Sequence, residues 1–389
     1  MGRPPVEPKR AVSFASLNFK AHLREFMKRF IDIVIRFVPA LMLAALIAIP
    51  VAHAAWTEDE FEHRPLFAYP LPHSKDDVIG DLITYQLQKG DTLLDVGRWF
   101  GVTAKEISNA NGGIDWWSPP AGKQIILPDE HILPDTPHVG IVLNIPEMRL
   151  YYYFPSPTGP IHHKGKDSKG KVTPAKFVTG KPATGKKHAH PAATGGPSVV
   201  YTFPVGLGRF DWKTPVGDFT VRGKTKNPTW VVPQDIYEEH LERDGEAEHV
   251  VSGDDPDNPL GHYRIELTLP EYALHGTNVP WGVGMEVSHG CIRLYPEDIE
   301  RLFNKVKIGT PGMFVYQPVK FGWRGDALYV EVHEDLYGMY AGLWAYAQKE
   351  VDRRGLQDQV DMQKLQKAVE MKTGVPTYVL PGPAPGGES

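Results

Sequence analysis

One short stretch of the sequence carries the residue types that nucleophilic catalysis requires. Residues 286–295 read EVSHGCIRLY and contain Cys291, the single cysteine of 389 residues. A lone cysteine has no disulfide partner within its own chain, so it is an inert buried thiol, an intermolecular link or a nucleophile. The thiolate is the reactive form, and a thiol with a pKa of about 8.5 needs a base or a cation beside it to react at neutral pH.

The neighbouring sequence offers a candidate for each of these needs. His275, in the stretch YALHGTNVPWG, is the candidate base. His289 and Gly290 precede Cys291 in a turn that can direct successive backbone N–H groups at an oxyanion. Arg293 has the planar guanidinium that binds carboxylates through two hydrogen bonds. The sequence alone leaves open whether His275 and Cys291 meet in space.

The elements that must position these residues are short strands separated by turns. The chain contains 38 glycines and 36 prolines, and from residue 199 to about 318 alternating segments lie between them. This pattern is typical of a β-sandwich or barrel. A hairpin is predicted over 138–154, and a helix is predicted to begin at Pro296. Between them, the Lys/Gly/Pro-rich segment 155–198 has almost no core-forming residues and is predicted to be a disordered insertion.

The N-terminus predicts export from the cytoplasm. Scattered basic residues precede an uncharged apolar run at 37–51, and a small-residue AHA sequence follows at 52–54. This order matches a secretory signal peptide over residues 1–54, with an uncleaved membrane anchor as the alternative. Either alternative places the rest of the chain in the periplasm or cell envelope. The polar, proline-containing segment 55–80 is predicted to be a linker.

Residues 81–130 predict a strand, two short helices and a closing strand. The residues Gly90-Asp91-Thr92-Leu93, the FGVT sequence after the first helix, Asn111 and the final Ile126-Leu127-Pro128 resemble a LysM domain. The resemblance implies a small βααβ domain that binds the N-acetylglucosamine-containing glycan of peptidoglycan. After the strand-rich region, residues 319–389 predict an extension with one strand, helices and an unstructured tail.

The cysteine segment itself resembles a known catalytic motif. The sequence HGTNVPWGVGMEVSHGCIRL is similar to the motif of the L,D-transpeptidases of the YkuD family. Further pieces of the family pattern follow the same order along the chain, namely Thr214-Pro215-x-Gly217-x-Phe219, Asn227-Pro-x-Trp230 and Asn258-Pro-Leu-Gly261. The resemblance implies a mainly β chain with a sandwich or barrel-like catalytic domain over residues 138–318.

The resemblance also implies roles for individual residues. Cys291 would be the nucleophile and His275 the base. Support for the turn and the oxyanion would come from Ser288, His289, Gly290 and Gly276. The residues predicted to contact substrate are Arg293, Thr277, Tyr272, Trp281 and Trp230. A Cys–His mechanism of this kind needs neither metal nor cofactor.

The implied function is peptidoglycan L,D-transpeptidation. The acyl donor would be a tetrapeptide stem that loses its terminal D-Ala, and the acceptor a diamino acid amine or the lysine of an outer-membrane lipoprotein. Two alternatives keep this domain: an L,D-carboxypeptidase or a hydrolase that releases a bound lipoprotein. A third is a non-enzymatic glycan-binding scaffold, and a sortase-like enzyme is disfavoured because its Thr-Leu-x-Thr strand is absent. The net charge of −5 gives no indication of nucleic acid binding, and membrane contact is expected only if the N-terminal segment stays uncleaved.

Overall fold

The structure is a computed structural model and describes residues 56–71, 76–155 and 198–385. The predicted signal peptide or anchor and nearly all of the predicted insertion lie outside the described residues. Strands predominate in the described ranges, which confirms the prediction of a mainly β chain. Within those ranges, no helix is both long enough and apolar enough to cross a membrane.

The described residues of segment 55–80 form regular structure, so the linker prediction is wrong. The N-terminal elements are α1 (Glu58–His63), β1 (Ala68–Pro70), β2 (Val78–Ile79), β3 (Leu82–Gln86), α2 (Leu93–Phe100), α3 (Ala104–Ala110), β4 (Gln124–Pro128) and β5 (His131–Ile132). Thr57 and Glu60 form a capping box at the start of α1. Phe61 and Arg64 are buried, and β1 becomes an edge strand of the main sheet. The prolines and charges of this segment suggested a connector, but tertiary contacts order it.

The elements β3, α2, α3 and β4 fold around a small core of their own. β3 and β4 pair antiparallel, and both helices begin at threonines, Thr92 and Thr103, whose side chains accept backbone hydrogen bonds in the first turn. Gly101 ends α2 in the left-handed conformation (φ 67°), which lets the chain turn directly into α3. The core includes Leu93, Val96, Val102, Ile107, Ile125 and Leu127.

The central part of the chain contributes eight strands to a mixed sheet of nine, and β1 is the ninth strand. Its elements are β6 (Gly140–Asn144), β7 (Arg149–Phe154), β8 (Val199–Pro204), β9 (Leu207–Gly208), β10 (Gly217–Lys226), β11 (Trp230–Val231), α4 (Gln234–Asp244), β12 (Val250–Val251), β13 (Tyr263–Leu267), β14 (Ala273–His275), β15 (Glu286–Ser288), β16 (Ile292–Arg293), α5 (Pro296–Lys305) and β17 (Pro311–Val315). The strand order is β1-β8-β7-β6-β17-β10-β13-β14-β16. Neighbours are antiparallel except β17 with β6 and β14 with β16. Most of the strands predicted to form a sandwich or barrel are therefore joined in this sheet, while β9 pairs with β15 and β11 with β12 in two separate two-stranded sheets.

Helix α5 packs against this sheet and begins, as predicted, with Pro296 at its first position. Ile299, Leu302 and Phe303 are buried among the apolar residues of β6, β7, β13 and β14. Burying each such side chain contributes about 1.5–3 kcal/mol to folding. Because α5 begins two residues after β16, this packing also fixes the strand that follows the cysteine turn.

The C-terminal part forms a second, smaller sheet covered by two helices. Its elements are β18 (Val319–Arg324), β19 (Ala327–Val332), α6 (Leu343–Arg354), α7 (Met362–Met371) and β20 (Thr377–Tyr378), with strand order β18-β19-β20. The apolar faces of sheet and helices meet at Val319, Phe321, Leu328, Val330, Ala347, Val351, Leu365 and Val369.

Buried ion pairs connect the N-terminal elements to the main sheet. In α2, Arg98 Nη2 lies 3.0 Å from Glu297 Oε2 in the first turn of α5. In β7, Arg149 Nη2 lies 3.1 Å from Glu106 Oε2 in α3. Removing one partner from a pair of this kind leaves an uncompensated buried charge, so each pair holds the two parts in a defined arrangement.

Candidate active site

The imidazole of His275 lies in the main sheet between two arginines. β14 pairs with β13 on one side and with β16 on the other, and His275 is directly opposite both Arg264 and Arg293. Side chains of directly paired residues lie on the same face of a sheet. The His275 ring is buried, and its Nδ1 lies 2.7 Å from the carbonyl oxygen of Gly276. This contact assigns the proton to Nδ1 and leaves Nε2 as a proton acceptor.

The surroundings of His275 keep its ring neutral. Burial, followed by the charge of Arg293, lowers the pKa of His275 to about 3. An ordinary histidine has a pKa of about 6.5, so this ring is uncharged throughout the neutral range. The charge of Arg264 acts in the same direction. Sequence reasoning missed Arg264, because only the pairing of β13 with β14 shows that it lies beside His275.

Cys291 lies at the entry to β16, on the face of the sheet that carries His275. In the parallel pair of β14 and β16, His275 is opposite Arg293, and continuing this register by one residue on each side brings Cys291 beside Ala273. Because side chains alternate along a strand, Cys291, Arg293 and His275 share one face. The Sγ atom lies 3.5 Å from the carbonyl oxygen of Glu271. The thiol is partly exposed, and burial raises its pKa above the ordinary value.

The turn 288–291 is stabilised by hydrogen bonds from Ser288 within it and from Thr214, which lies between β9 and β10. Ser288 Oγ donates to the carbonyl oxygen of Cys291 at 2.6 Å and accepts from the N–H of Gly290 at 3.2 Å. Thr214 Oγ1 donates to the carbonyl oxygen of Gly290 at 3.0 Å. Gly290 has φ 106°, and a Cβ there would lie 3.0 Å from the Tyr272 ring, so the position requires glycine. The backbone N–H of Gly290, which the sequence predicts to face an oxyanion, instead donates to Ser288 Oγ.

His289 is anchored by a carboxylate from α4. Its Nε2 lies 3.0 Å from Glu239 Oε2, and its ring meets the ring of Trp212 edge-on at a centroid distance of 5.3 Å. Arg209 donates to both oxygens of the same carboxylate, at 3.0 and 2.7 Å. Hydrogen bonds from Arg209 and then from His289 lower the pKa of Glu239 to about 2. Sequence reasoning missed Glu239, which lies 50 residues from His289 and has no local signature.

Two of the predicted substrate contacts have different surroundings. Arg293 Nε is buried, and within the described residues it makes no hydrogen bond. Burial lowers the pKa of its guanidinium, which remains charged at neutral pH. Arg293 is itself partly exposed, so an anionic group of a ligand could pair with its guanidinium. Thr277, in contrast, is buried, and its Oγ1 accepts the N–H of Val279 at 2.9 Å, so it stabilises a turn.

The three predicted aromatic contacts are not equally close to the cysteine turn. Tyr272 packs over Gly290, and its hydroxyl lies 3.4 Å from the carbonyl oxygen of Lys213. Trp281 is 53% exposed on a short 3-10 turn, and Trp230 lies on β11 with its ring 6.2 Å from that of His240. In the part of the chain that the structure describes, neither tryptophan makes a ring contact with residues 288–291.

A separate buried cluster has the residue types of a metal site but already contains a cation. His131, Glu147 and Glu331 each offer one ligand atom, and these atoms lie within 4.8 Å of one another. The Nζ of Lys320 is 2.7 Å from Glu147 Oε2 and 3.0 Å from Glu331 Oε1. Its ammonium group neutralises the carboxylates where an ion would bind. The cluster therefore does not imply a metal.

The sequence matches one family model and is similar to several known proteins. The model of the YkuD family, described as the L,D-transpeptidase catalytic domain, matches residues 192–319. "Probable L,D-transpeptidase YbiS" from Escherichia coli (strain K12) is 31% identical over 318 residues, 79% of this chain and 90% of that protein. "Probable L,D-transpeptidase ErfK/SrfK" from Salmonella typhimurium is 30% identical over 81% of this chain and 92% of that protein.

Among solved structures, L,D-transpeptidase 3 from Mycobacterium tuberculosis aligns with 51% of this chain and 73% of its own, at 22% identity and a TM-score of 0.26. The sequence relatives are matched over nearly their whole length, and the family match covers the turn that holds Cys291. The chain therefore belongs to the YkuD family of L,D-transpeptidases.

Proposed function

We propose that the protein cross-links peptidoglycan stem peptides through a thioester on Cys291. One observation carries the proposal: Cys291 and His275 share a face of the sheet, and the unprotonated Nε2 of His275 is available as a base. Neither group is charged at rest, so a proton must move between them when the thiol attacks. General base catalysis by a neutral imidazole supplies that transfer.

The first half-reaction would form the acyl-enzyme. The Sγ of Cys291 bonds to the carbonyl carbon of the diamino acid in a tetrapeptide stem while Nε2 of His275 takes the thiol proton. Backbone N–H groups at His289 and Cys291 are the candidates for holding the oxyanion. The bond from this carbon to the nitrogen of D-Ala then breaks, and the departing amine takes the proton back from Nε2. The products are a thioester and free D-Ala.

The second half-reaction would reverse these roles. An acceptor amine attacks the thioester carbon, His275 takes its proton, and the thiol of Cys291 leaves and recovers that proton. An amine on a second stem peptide yields a cross-link, and the lysine of an outer-membrane lipoprotein yields an attached lipoprotein. Water as the acceptor would make the enzyme a carboxypeptidase.

Other residues of the site would position the substrate. Arg293 provides a guanidinium on the same face as the thiol, suited to a substrate carboxylate, and its Nε makes no hydrogen bond within the described residues. Tyr272 forms one wall beside Gly290. Trp230, Trp281 and Thr277 remain proposals as substrate contacts, and the burial of Thr277 favours a supporting role.

The N-terminal βααβ unit is proposed to be a LysM domain that binds the glycan. Its strand–helix–helix–strand order and its two threonine-capped helices support this assignment. Binding of the polymer at this unit would raise the local concentration of stem peptides at the cysteine. The proposed location is the periplasm or cell envelope, where this polymer lies.

The proposal is tested with disaccharide-tetrapeptide muropeptides and the full-length protein, as wild type and as Cys291→Ala. Products are identified by mass spectrometry. We expect a cross-linked dimer that lacks one D-Ala, formed by the wild type and absent with the variant. A tripeptide monomer would indicate hydrolysis, unless a lysine-ended lipoprotein peptide then captures the acyl group. Unchanged muropeptides with the wild type contradict the proposal.

A further inference from the structure

An open groove of about 630 Å³ lies where the three parts of the chain meet, outside the cysteine site. Its lining includes Lys105 from α3, Glu286 from β15 and Phe210 from the loop after β9. The C-terminal part contributes Glu334, Tyr337 and Lys372. We call this feature the junction groove. No residue of the cysteine–histidine pair lines it, so the chemistry proposed above does not account for it.

The junction groove carries charged groups of both signs, and Asp335 is a further acid beside Glu334. Lys105 Nζ lies 2.7 Å from Glu334 Oε2 and 3.7 Å from Glu286 Oε1. Lys372 adds a second cation. A polyanion would meet the carboxylates and a polycation would meet the lysines, so strongly charged polymers are disfavoured. Hydroxyl and amide groups, which both donate and accept hydrogen bonds, can use both kinds of side chain.

One carboxylate oxygen in the groove has an ion-pair partner, Lys105 Nζ at 3.7 Å, but no hydrogen-bond donor among the described residues. Glu286 Oε1 is buried, and it makes no hydrogen bond to any part of the chain that the structure describes. Buried polar atoms in proteins are rarely left without a partner, and the exceptions call for an explanation. The Glu286 side chain as a whole is 33% exposed, so a hydroxyl or amide N–H of a ligand in the groove can approach its carboxylate.

The groove also presents an exposed aromatic ring. Phe210 is 66% exposed, and Lys213 Nζ lies 4.2 Å from the ring centroid. An exposed phenylalanine at the edge of a polar groove offers a flat apolar surface, which the carbon-bound hydrogens of a sugar ring can cover.

The groove is connected to the cysteine turn through the loop that carries Phe210. Tyr337 donates its hydroxyl proton to the carbonyl oxygen of Gly208 at 2.8 Å and accepts the N–H of Thr214 at 3.2 Å. Thr214 in turn holds Gly290. Phe210 is two residues from Trp212, which packs on His289, and two residues of chain span at most about 7 Å. A polymer in the groove would therefore pass close to the reacting centre.

We propose that the junction groove binds the glycan strand of peptidoglycan, a neutral chain of N-acetylated sugars, beside the cysteine site. This inference rests on the proposed function and names a second site for the same polymer. Phe210 stacks on a sugar ring, Glu286 accepts a hydroxyl or amide proton, and Lys105 and Lys372 donate. A stem that hangs from a strand held here is delivered towards Cys291.

The test uses a hexamer of N-acetylglucosamine, which carries no peptide and so cannot be a transpeptidation donor. Because Cys291 is the single cysteine, the full-length Cys291→Ala, Leu343→Cys protein can be labelled with an environment-sensitive fluorophore at one position in the groove. We expect a saturable signal with the hexamer. Phe210→Ala in this background should weaken binding by about five- to tenfold, and Glu286→Gln by about threefold. Ile308→Ala, an equally exposed apolar residue (62%) outside the groove, is the matched control and should bind like the parent.

Three results would overturn the inference. The first is the absence of a saturable signal with the hexamer in the labelled parent. The second is equal affinity in the Phe210→Ala and Ile308→Ala proteins. The third is a signal given only by a free tetrapeptide stem, which would make the groove a peptide site. The muropeptide reaction of the wild type is measured separately, so failure of the groove and failure of the proposed function are distinguished.

Discussion

At the scale of single residues, the resting site holds an uncharged thiol and an uncharged imidazole. Burial raises the pKa of Cys291 and lowers that of His275 to about 3, so no thiolate–imidazolium pair forms before substrate binds. The backbone carbonyl of Gly276 orients the ring but brings no negative charge to stabilise an imidazolium. In the proposed reaction the proton is therefore transferred during attack, and the thiol should be slow towards general electrophiles.

This charge state predicts the pH dependence of alkylation. The thiol pKa is raised, so the thiolate fraction is small at neutral pH and grows as the pH approaches that pKa. The second-order rate with iodoacetamide should rise about tenfold per pH unit from about pH 6 to about pH 8. Mass spectrometry of the alkylated protein measures this rate directly, because the chain has a single cysteine. A rate that is level across this range would show that the resting pair is ionised.

The position of Arg264 beside His275 predicts that its replacement changes the alkylation rate of Cys291, whereas replacement of Arg222 on the neighbouring strand does not. Arg264 and Arg222 both pair with Glu266, at 3.2 and 3.4 Å, but only Arg264 is opposite His275. Arg264→Gln removes a cation that favours the thiolate and should slow alkylation at neutral pH about threefold, whereas Arg264→Lys retains most of the rate. Arg222→Gln is the matched control, and an equal effect there would exclude a specific role for Arg264.

At the scale of elements, helix α4 reaches the cysteine turn through one side chain. Glu239 contacts His289 and Arg209, while Glu238 on the same helix accepts a hydrogen bond from Gln234 at 2.7 Å. Glu239→Gln should lower kcat by about three- to tenfold with a smaller change in KM, because the turn that carries Cys291, the proposed nucleophile, loses a hydrogen-bond partner. Glu238→Gln should behave like the wild type. A matching loss of kcat in both variants would indicate a general effect on α4.

The contacts of Glu239 with His289 and Arg209 should persist in mild acid. The folded pKa of Glu239 is about 2, below the ordinary value, so its contacts stabilise the fold above the unfolded pKa of about 4.5. That contribution is lost progressively as the pH falls from about 4.5 to about 2. A loss of activity near pH 6 would need another cause.

The elements that sequence predicts well are those specified by local chemistry. The two short helices predicted within 81–130 form with Thr92 and Thr103 as their N-caps, and Pro296 begins a helix. Segment 55–80 was misassigned because burial of Phe61 and Arg64 depends on residues far along the chain. Cys291 and His275 were found from their motifs, whereas Arg264 and Glu239 depend on strand register and on a contact between distant elements, which no local pattern encodes.

At the scale of the whole molecule, two buried carboxylates of α5 join it to the N-terminal elements: Asp298 pairs with Arg64, and Glu297 pairs with both Arg64 and Arg98. Glu297 accepts from Arg64 at 3.0 Å and from Arg98 at 3.1 and 3.0 Å, while Glu58 pairs with the same Arg98 from an exposed position (74%). Glu297→Gln should lower the free energy of unfolding by about 2–4 kcal/mol, because two buried guanidinium groups lose a countercharge. Glu58→Gln should cost less than about 1 kcal/mol. Urea denaturation at neutral pH compares them, and similar losses would contradict the role given to burial.

The buried cluster of Lys320, His131, Glu147 and Glu331 connects the N-terminal elements, the main sheet and the C-terminal sheet. Removing the lysine should convert this ion-pair cluster into a metal site. Glu147 precedes β7 of the main sheet, Glu331 is in β19, and His131 is in β5. Lys320→Ala leaves both carboxylates without their ammonium and should cost about 3–5 kcal/mol. It also opens space next to three potential ligands whose atoms lie within 4.8 Å of one another.

Zinc should then stabilise the Lys320→Ala protein and leave the wild type unaffected, because binding to the folded state alone raises stability by mass action. Lys320→Met is the matched control: it removes the same charge but fills most of the space, so zinc should help it little. Thermal unfolding with and without Zn²⁺ measures the effect. If zinc raises the unfolding temperature of the Ala and Met variants equally, the ion binds elsewhere. If zinc raises neither unfolding temperature, the three side chains do not bind a metal in place of the ammonium, and the cluster accommodates lysine alone.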